Sequence, residues 1–436
     1  MVENVTEAMM RLVFQLGVIL VAAKLAGEVC ERYLRVPPVL GELLAGVAIG
    51  PYALGGVTVG GLGPLFSTVH LIDGSADPLA AVPRELYAIG QVAAVLLLFI
   101  AGIETDLRLF LRYAGPASLV AAGGVLLPFA FGAAATVWFG LADGFTDPKA
   151  LFMGAIMTAT SVGITARVLG DLKRLSSPEG VTVLGAAVVD DVLGILVLTI
   201  VVGIVDTGQV SLAEVGRVTV KAVGFWVALT GLGILLAQRI WGVLSWFKVS
   251  GASLGLAVGL AFLAAWLAES FGLAMIIGAY SIGLALSRTG LRQRLEEGLM
   301  GLYHGIVPVF FVVMGMLVDV RAVEGAFVFG VVITLLAIVG KVVGCGLPAL
   351  GAGFNVRGAV RVGIGMLPRG EVALIVAGVG LAHGVIGGDL FGVSILMTVV
   401  TTLLAPILMV PLFRRGGPGH RSEARVTGEL PGHDVG

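Results

Sequence analysis

The sequence predicts an all-α membrane protein in which about 13 helices cross the bilayer as two inverted repeats. The 436 residues have a mean hydropathy of +1.04, and only 13% are charged, against about 25% in soluble domains. A surface so poor in polar groups requires the bilayer as solvent. The net charge of −1 says nothing about nucleic acid, and we expect no nucleic-acid partner. The two cysteines give neither a disulfide framework nor a metal-binding spacing, so we expect no cofactor.

Thirteen apolar stretches approach or exceed the roughly 20 residues that cross a bilayer. Numbered 1 to 13, these spans are 8–31, 37–55, 86–104, 113–140, 148–170, 178–205, 214–241, 252–271, 273–288, 302–319, 325–350, 361–384 and 389–413.

Positive charges predict the orientation. With the N-terminus outside, most of the 27 Lys and Arg residues fall on the inner side, including Arg167 and Arg361 at span ends. An odd number of spans then leaves the C-terminus inside. Residues 1–413 form the transmembrane domain, and residues 414–436 form a short cytoplasmic tail that is too small for a folded domain.

Similar motifs recur seven spans apart and predict an internal repeat. The matching segments are 40–46 with 277–283, 102–108 with 315–321, and 188–193 with 399–404. An odd offset makes the two copies run in opposite directions, as in many secondary transporters, whose site lies near the midplane where the repeats meet. We expect repeat one at about 8–205, a linker helix at about 214–241 and repeat two at about 252–413.

Two adjacent carboxylates, Asp190 and Asp191, lie midway along apolar span 6. A charge at this depth costs about 2.5–3.5 kcal/mol on insertion scales and usually marks function. Two neighbouring carboxylates resist joint ionisation unless cations neutralise them. The pair therefore suits a site that holds either protons or a cation, although local capping or pairing is the alternative.

Lys341 lies in the middle of span 11, too deep to reach the interface easily. It requires a carboxylate partner, and the aspartates of span 6 are the obvious ones. The alternative is a misplaced span, with the lysine reaching an interface.

Span 12 predicts a helix interrupted at membrane depth. Pro368 lacks a backbone donor, glycines flank it, and Arg369 and Glu371 follow. Span 5, its counterpart in the first repeat, carries hydroxyls at Thr158, Thr160 and Ser161. These hydroxyls either satisfy freed backbone groups or coordinate a cation, or they form ordinary helix–helix hydrogen bonds. We expect Arg369 and Glu371 to balance the dipoles of the half-helices.

Three other acidic residues lie near predicted span ends, namely Glu42, Glu104 and Glu269. Each is expected to be interfacial or locally paired.

The aspartate pair, Lys341 and the segments 160–167 and 368–372 together resemble the NapA-type bacterial sodium/proton antiporters of the monovalent cation:proton antiporter superfamily. The resemblance implies a homodimer in the bacterial inner membrane, with a panel domain and a six-helix core that moves like an elevator. It also implies that Asp191 binds Na⁺ or Li⁺ and that Asp190 pairs with Lys341. Because the site then holds two carboxylates and a lysine, we expect electrogenic exchange of two protons per Na⁺.

Other classes fit less well. An intramembrane aspartyl protease needs aspartates on two different helices, and a channel needs no proton-coupled carboxylate. A K⁺/H⁺ antiporter stays open, because spacing does not reveal cation preference. A Kef-like potassium efflux transporter is the other alternative, and the absence of a Gly-x-Gly-x-x-Gly domain after the membrane part argues against it.

Overall fold

The computed structural model describes residues 5–34, 36–58, 64–66, 82–207, 211–318 and 326–421. Within these ranges the chain forms fifteen α-helices, and its only strand-like pairings are two isolated β-bridges. The helices are α1 Val5–Val29, α2 Pro38–Ile49, α3 Arg84–Glu104, α4 Leu107–Trp138, α5 Pro148–Thr158, α6 Val162–Asp171, α7 Pro178–Thr207, α8 Leu212–Trp246, α9 Ala252–Ser270, α10 Met275–Leu286, α11 Arg292–Met316, α12 Phe327–Gly351, α13 Val356–Gly365, α14 Glu371–Ala382 and α15 Gly388–Arg414.

Most of the helices have the length and hydropathy of membrane spans. Among the described residues, eleven segments are long and apolar enough to cross a bilayer, with α5 and α6 counted together as one. Two further apolar helices, α10 and the part of α14 from Val372 to Ala382, are shorter. The predicted all-α class is confirmed, and the chain is a multi-pass membrane protein. The count of 13 remains a prediction.

Two helices extend beyond the predicted apolar spans because they begin with polar turns. α11 starts at Arg292, well before residue 302, and its first turns are held by an Arg292–Glu296 ion pair of 2.8 Å. α4 starts at Leu107, before residue 113, because the Asp106 carboxylate caps two backbone N–H groups of its first turn. Hydropathy finds the apolar part of a span and misses such turns.

The helices pack as two groups. α1–α3 pack with α8–α11, and α4–α7 pack with α12–α15, whereas few helix pairs join one group to the other. We call the first group the panel helices and the second the core helices. The α3–α6, α7–α8, α2–α6 and α2–α15 pairs connect them. The boundary between two such groups is where one can move relative to the other.

Glycines bring the panel helices into close contact. A Cβ atom on Gly46 of α2 or on Gly315 of α11 would overlap the backbone of the other helix. Gly102 of α3 and Gly283 of α10 make the same reciprocal contact. Small residues at such crossings allow the tight packing on which helix association in lipid depends.

The described part of the tail folds back onto the core helices. We call residues 415–421 the C-terminal strap. Arg361 of α13 donates a hydrogen bond of 2.6 Å to the Gly416 carbonyl. The His420 ring packs edge-on against Tyr113 of α4, with 5.5 Å between ring centroids. The predicted tail, 414–436, therefore includes a packed segment, and residues 422–436 lie outside the described part of the chain.

Two further sequence expectations fall wholly or partly outside the described residues. Of the repeat motif at 315–321, Asp319 and Arg321 are not described. The same holds for the side chain of Glu371.

Candidate ion-binding site

Two interrupted helices meet in the middle of the core group. α5 ends at Thr158 and α6 resumes at Val162, while α13 ends at Gly365 and α14 starts at Glu371. The interruptions bond to each other, because the Ser161 N–H donates to the Pro368 carbonyl at 2.7 Å. The backbone groups freed by each break therefore find partners inside the protein, as they must in a bilayer.

The crossing is reinforced by a threonine. The Thr165 hydroxyl of α6 donates to the Gly365 carbonyl at the end of α13, at 2.7 Å. The Gly365 carbonyl has no intrahelical partner at the end of α13, and α6 therefore supplies its hydrogen-bond donor. Hydroxyls commonly perform this task where membrane helices break.

Asp190 and Lys341 form a buried ion pair. Lys341 Nζ of α12 lies 3.1 Å from Asp190 Oδ1 of α7, and the side chains are 0% and 2% exposed. The Thr160 hydroxyl, in the break between α5 and α6, donates a hydrogen bond of 3.4 Å to the Met366 carbonyl and also interacts with this carboxylate. Two buried charges need such a partnership, because either one alone would be strongly destabilising.

Asp191 faces different surroundings from its neighbour. It is 6% exposed and lines a cavity of about 400 Å³ between panel and core helices. Consecutive helical residues point about 100° apart, so Asp190 reaches the lysine while Asp191 reaches the cavity. The cavity wall also includes Tyr87 and Gln91 at the start of α3 and Glu269 near the end of α9.

Arg369 lies where one half-helix ends. It is fully buried, and its Nη2 donates to the Met157 carbonyl at 2.6 Å, in the last turn of α5. The Thr402 hydroxyl of α15 donates to the Arg369 carbonyl. A guanidinium beside the C-terminal end of a helix balances its partial negative charge. Glu371 is the first residue of α14.

The hydroxyls of span 5 have separate surroundings. Thr158 bonds the Ala155 carbonyl of its own helix at 2.8 Å, an ordinary intrahelical contact. Ser161 contributes its backbone N–H to the crossing, and its hydroxyl oxygen lies close to Gly370. Thr160, in the break between the two half-helices, interacts with Asp190.

No group of three or more His, Cys, Asp or Glu side chains is arranged to hold a metal ion in the described part of the chain. A monovalent cation at Asp191 would therefore need further oxygen ligands from hydroxyls, backbone carbonyls or water.

Two buried ion pairs were not predicted from the sequence. Arg167 of α6 lies 3.7 Å from Glu42 of α2, and Arg361 of α13 lies 2.7 Å from Glu179 of α7. Both arginines were counted with the inner positive charge. Glu42 is only 2% exposed, so it is locally paired rather than interfacial. In the sequence, the apolar residues on both sides of Glu42 were the available indication that this carboxylate needs a cationic partner.

Interrupted helices that cross beside buried charges are typical of ion-coupled secondary transporters. Comparisons with known proteins agree. Residues 17–415 match the family described as sodium/hydrogen exchanger, transmembrane. The chain is 37% identical to the high-affinity Na⁺/H⁺ antiporter NhaS3 of Synechocystis, covering 96% of this chain and 92% of that protein. It is 34% identical to the Na⁺/H⁺-K⁺ antiporter GerN of Bacillus cereus, covering 91% and 95%.

The fold is similar to that of a solved archaeal structure. The sodium proton antiporter MjNhaP1 of Methanocaldococcus jannaschii matches with a TM-score of 0.70 at 19% identity, over 97% of this chain and 99% of that one. The chain belongs to the sodium/hydrogen exchanger family. Its predicted place in the cation:proton antiporter superfamily is thereby confirmed.

Proposed function

We propose that this protein exchanges Na⁺, or Li⁺, for protons across a bacterial plasma membrane, with Asp191 holding the cation and the proton in turn. The supporting observation is that the two aspartates have different surroundings. Asp190 is neutralised by Lys341 at 3.1 Å, whereas Asp191 lines a cavity large enough for a hydrated ion. The relatives NhaS3 and GerN, both named as Na⁺/H⁺ antiporters, support the same substrates.

The direct test uses purified protein in sealed proteoliposomes with an imposed pH gradient. Added Na⁺ should dissipate the gradient in the absence of any other ion pathway. Liposomes carrying the Asp191→Asn variant serve as the control. A pH gradient that Na⁺, Li⁺ and K⁺ all leave intact would refute antiport.

Exchange is proposed to be electrogenic. Because Asp190, Lys341 and Asp191 share one buried region, a cation bound at Asp191 also disturbs the neighbouring ion pair. Two protons then leave for each Na⁺ that enters, and one net charge moves per cycle. An imposed potassium diffusion potential should change the exchange rate, since the potential contributes about 2.3 kcal/mol per charge per 100 mV. A rate indifferent to voltage would refute this stoichiometry and leave antiport intact.

Thirteen spans, an outer N-terminus and an inverted repeat are proposed for the membrane arrangement. The glycine contacts support the repeat. Gly41 of α2 packs on the backbone of α1, and its counterpart Gly278 of α10 packs on α9. The α2–α11 and α3–α10 crossings, described above, correspond in the same way. Sided labelling of single cysteines at the loops would test the orientation.

The packing of the helices in two groups supports an elevator mechanism. The core helices contain both interrupted helices and Asp191, and they contact the panel helices at few places. The core group is proposed to carry the ion by sliding along panel helices that a homodimer holds still. Dimerisation is testable by native mass spectrometry from lipid, and a monomer under all conditions would refute it.

Potassium is the second candidate cation. The name of GerN includes K⁺ beside Na⁺, and that relative covers nearly the whole chain. A K⁺/H⁺ antiporter, or a Kef-like potassium efflux transporter, would give a stronger response to K⁺ than to Na⁺ in the same proteoliposomes. A K⁺ response weaker than that to Na⁺ would refute this candidate.

A further inference from the structure

A buried arginine joins the two helix groups far from the Asp191 cavity. Arg167 of core helix α6 lies 3.7 Å from Glu42 of panel helix α2, with the side chains 5% and 2% exposed. Its guanidinium also stacks over the Tyr303 ring of panel helix α11, at 4.6 Å from the centroid. Asp171, one turn further along α6, is 3.2 Å from the same guanidinium.

These contacts lie toward the opposite end of the bundle from the cavity that contains Asp191. That cavity meets α3 near its start, at Tyr87 and Gln91. At the other end of α3, the Glu104 carbonyl accepts hydrogen bonds from Ser176, in the turn after α6, and from Arg292 at the start of α11. Along α3, Gln91 and Glu104 are separated by about 20 Å at the α-helical rise of about 1.5 Å per residue.

A second cavity approaches Arg167 from this opposite end. It has a volume of about 310 Å³ and lies between panel and core helices, where Glu31 and Pro38 face Asp171 and Arg414. α6 is buried from Val162 to Leu169, so it fills the space between this cavity and the crossing. On α6 the cavity wall includes Val168, the residue next to Arg167, and Asp171, one turn further on.

We propose that Arg167, Glu42 and Tyr303 form the inner gate of the transporter. Their contacts hold core helix α6 against panel helices α2 and α11, and they must part before an ion at Asp191 reaches the inner cavity. This assignment rests on the proposed function and orientation. It adds three residues to the transport cycle that the aspartate site does not include.

The other buried ion pairs do not have this geometry. Asp190–Lys341 joins α7 to α12, and Glu179–Arg361 joins α7 to α13, so both lie within the core group. Among the ion pairs of the described residues, Glu42–Arg167 is the buried one that crosses between the groups.

Arg167 keeps an anionic partner on its own helix when the gate opens. When α2 withdraws Glu42, the guanidinium keeps Asp171 on its own helix at 3.2 Å. A buried arginine left without any anion would be strongly destabilising. The carboxylate carried on α6 therefore lowers the cost of breaking the contact with the panel.

The test measures the access of a cysteine behind the gate. Ile164 of α6 is 1% exposed and lies one turn closer to the crossing than Arg167. Ile164→Cys, with Cys30 and Cys345 replaced by alanine, is labelled from the inner face of vesicles with a membrane-impermeant maleimide. Adding Glu42→Gln should raise the labelling rate at least about tenfold, a shift of about 1.4 kcal/mol in the gate equilibrium.

An outer reporter and a matched control complete the experiment. Gln91 lines the cavity that contains Asp191, which faces outward in the proposed orientation. Gln91→Cys should label more slowly from outside when Glu42→Gln is present. Glu179→Gln breaks the buried pair within the core, and it should change neither rate. Tyr303→Leu removes the second panel contact and should act in the same direction as Glu42→Gln, which keeps the test valid if the glutamine variant does not fold.

Two results would overturn the gate. One is unchanged labelling of both reporters by folded Glu42→Gln or Tyr303→Leu protein. The other is an equal rise in labelling with Glu179→Gln, which would indicate general loosening. Labelling does not require ion exchange, so a failure of the parent protein in the Na⁺/H⁺ assay would refute the proposed function separately.

Discussion

Replacing Lys341 by alanine would leave Asp190 as a buried carboxylate without its cation. Breaking a buried ion pair from one side typically costs about 3–5 kcal/mol. Because the Thr160 hydroxyl still contacts Asp190, we expect the lower end, about 3 kcal/mol. For a chain of this length that lowers Tm by about 3–6 °C, since the shift per kcal/mol falls with size.

The assay is thermal unfolding of the detergent-solubilised protein, together with exchange in proteoliposomes. Lys341→Ala should unfold earlier and transport poorly. The loss of stability should shrink in acidic buffer, because a protonated Asp190 carries no unpaired charge. The double variant Lys341→Ala/Asp190→Asn removes both charges and should recover most of the stability while transport stays impaired. Unchanged Tm and unchanged transport in the single variant would refute the reasoning.

Three other predictions concern the ion ligand, the helix break and the strap. Asp191→Asn should abolish exchange while folding and membrane insertion stay normal. Near-normal exchange in this variant would refute Asp191 as the ion ligand. Pro368→Ala restores a backbone donor and should weaken the apparent cation affinity at normal expression; an unaltered affinity would show that the break does not depend on this proline. Removal of residues 415–436 takes carbonyl partners from Arg361 and should destabilise the protein by about 2–4 kcal/mol, whereas removal of 422–436 alone should not; equal Tm values for the two truncations would contradict the strap.

Much of the site was predictable from local sequence because charge inside an apolar span is expensive. That cost singled out Lys341 and the aspartate pair, and the predicted contact with Asp190 is present at 3.1 Å. Pro368 marked the interruption between α13 and α14 for an equally local reason, since proline cannot donate to the helix ladder. These inferences needed no knowledge of which helices pack together.

The inner contacts could not be predicted in this way. Glu42 and Arg167 lie on helices that are distant in sequence, and each alone resembles a residue near a membrane interface. The C-terminal strap was equally hidden, because its glycines and His420 bind through backbone carbonyls and ring contacts that leave no periodic pattern. Partner identity depends on tertiary packing, which local hydropathy does not encode.

In the proposed mechanism, Asp191 couples Na⁺ movement to proton movement. The most direct measurement is uphill uptake of radiolabelled Na⁺ into proteoliposomes that have an acidic interior and no membrane potential. The parent protein should accumulate Na⁺ above the external concentration while the pH gradient lasts, and Asp191→Asn should not. Na⁺ that only equilibrates would indicate a channel, and accumulation by Asp191→Asn equal to that of the parent would contradict the assignment of the site.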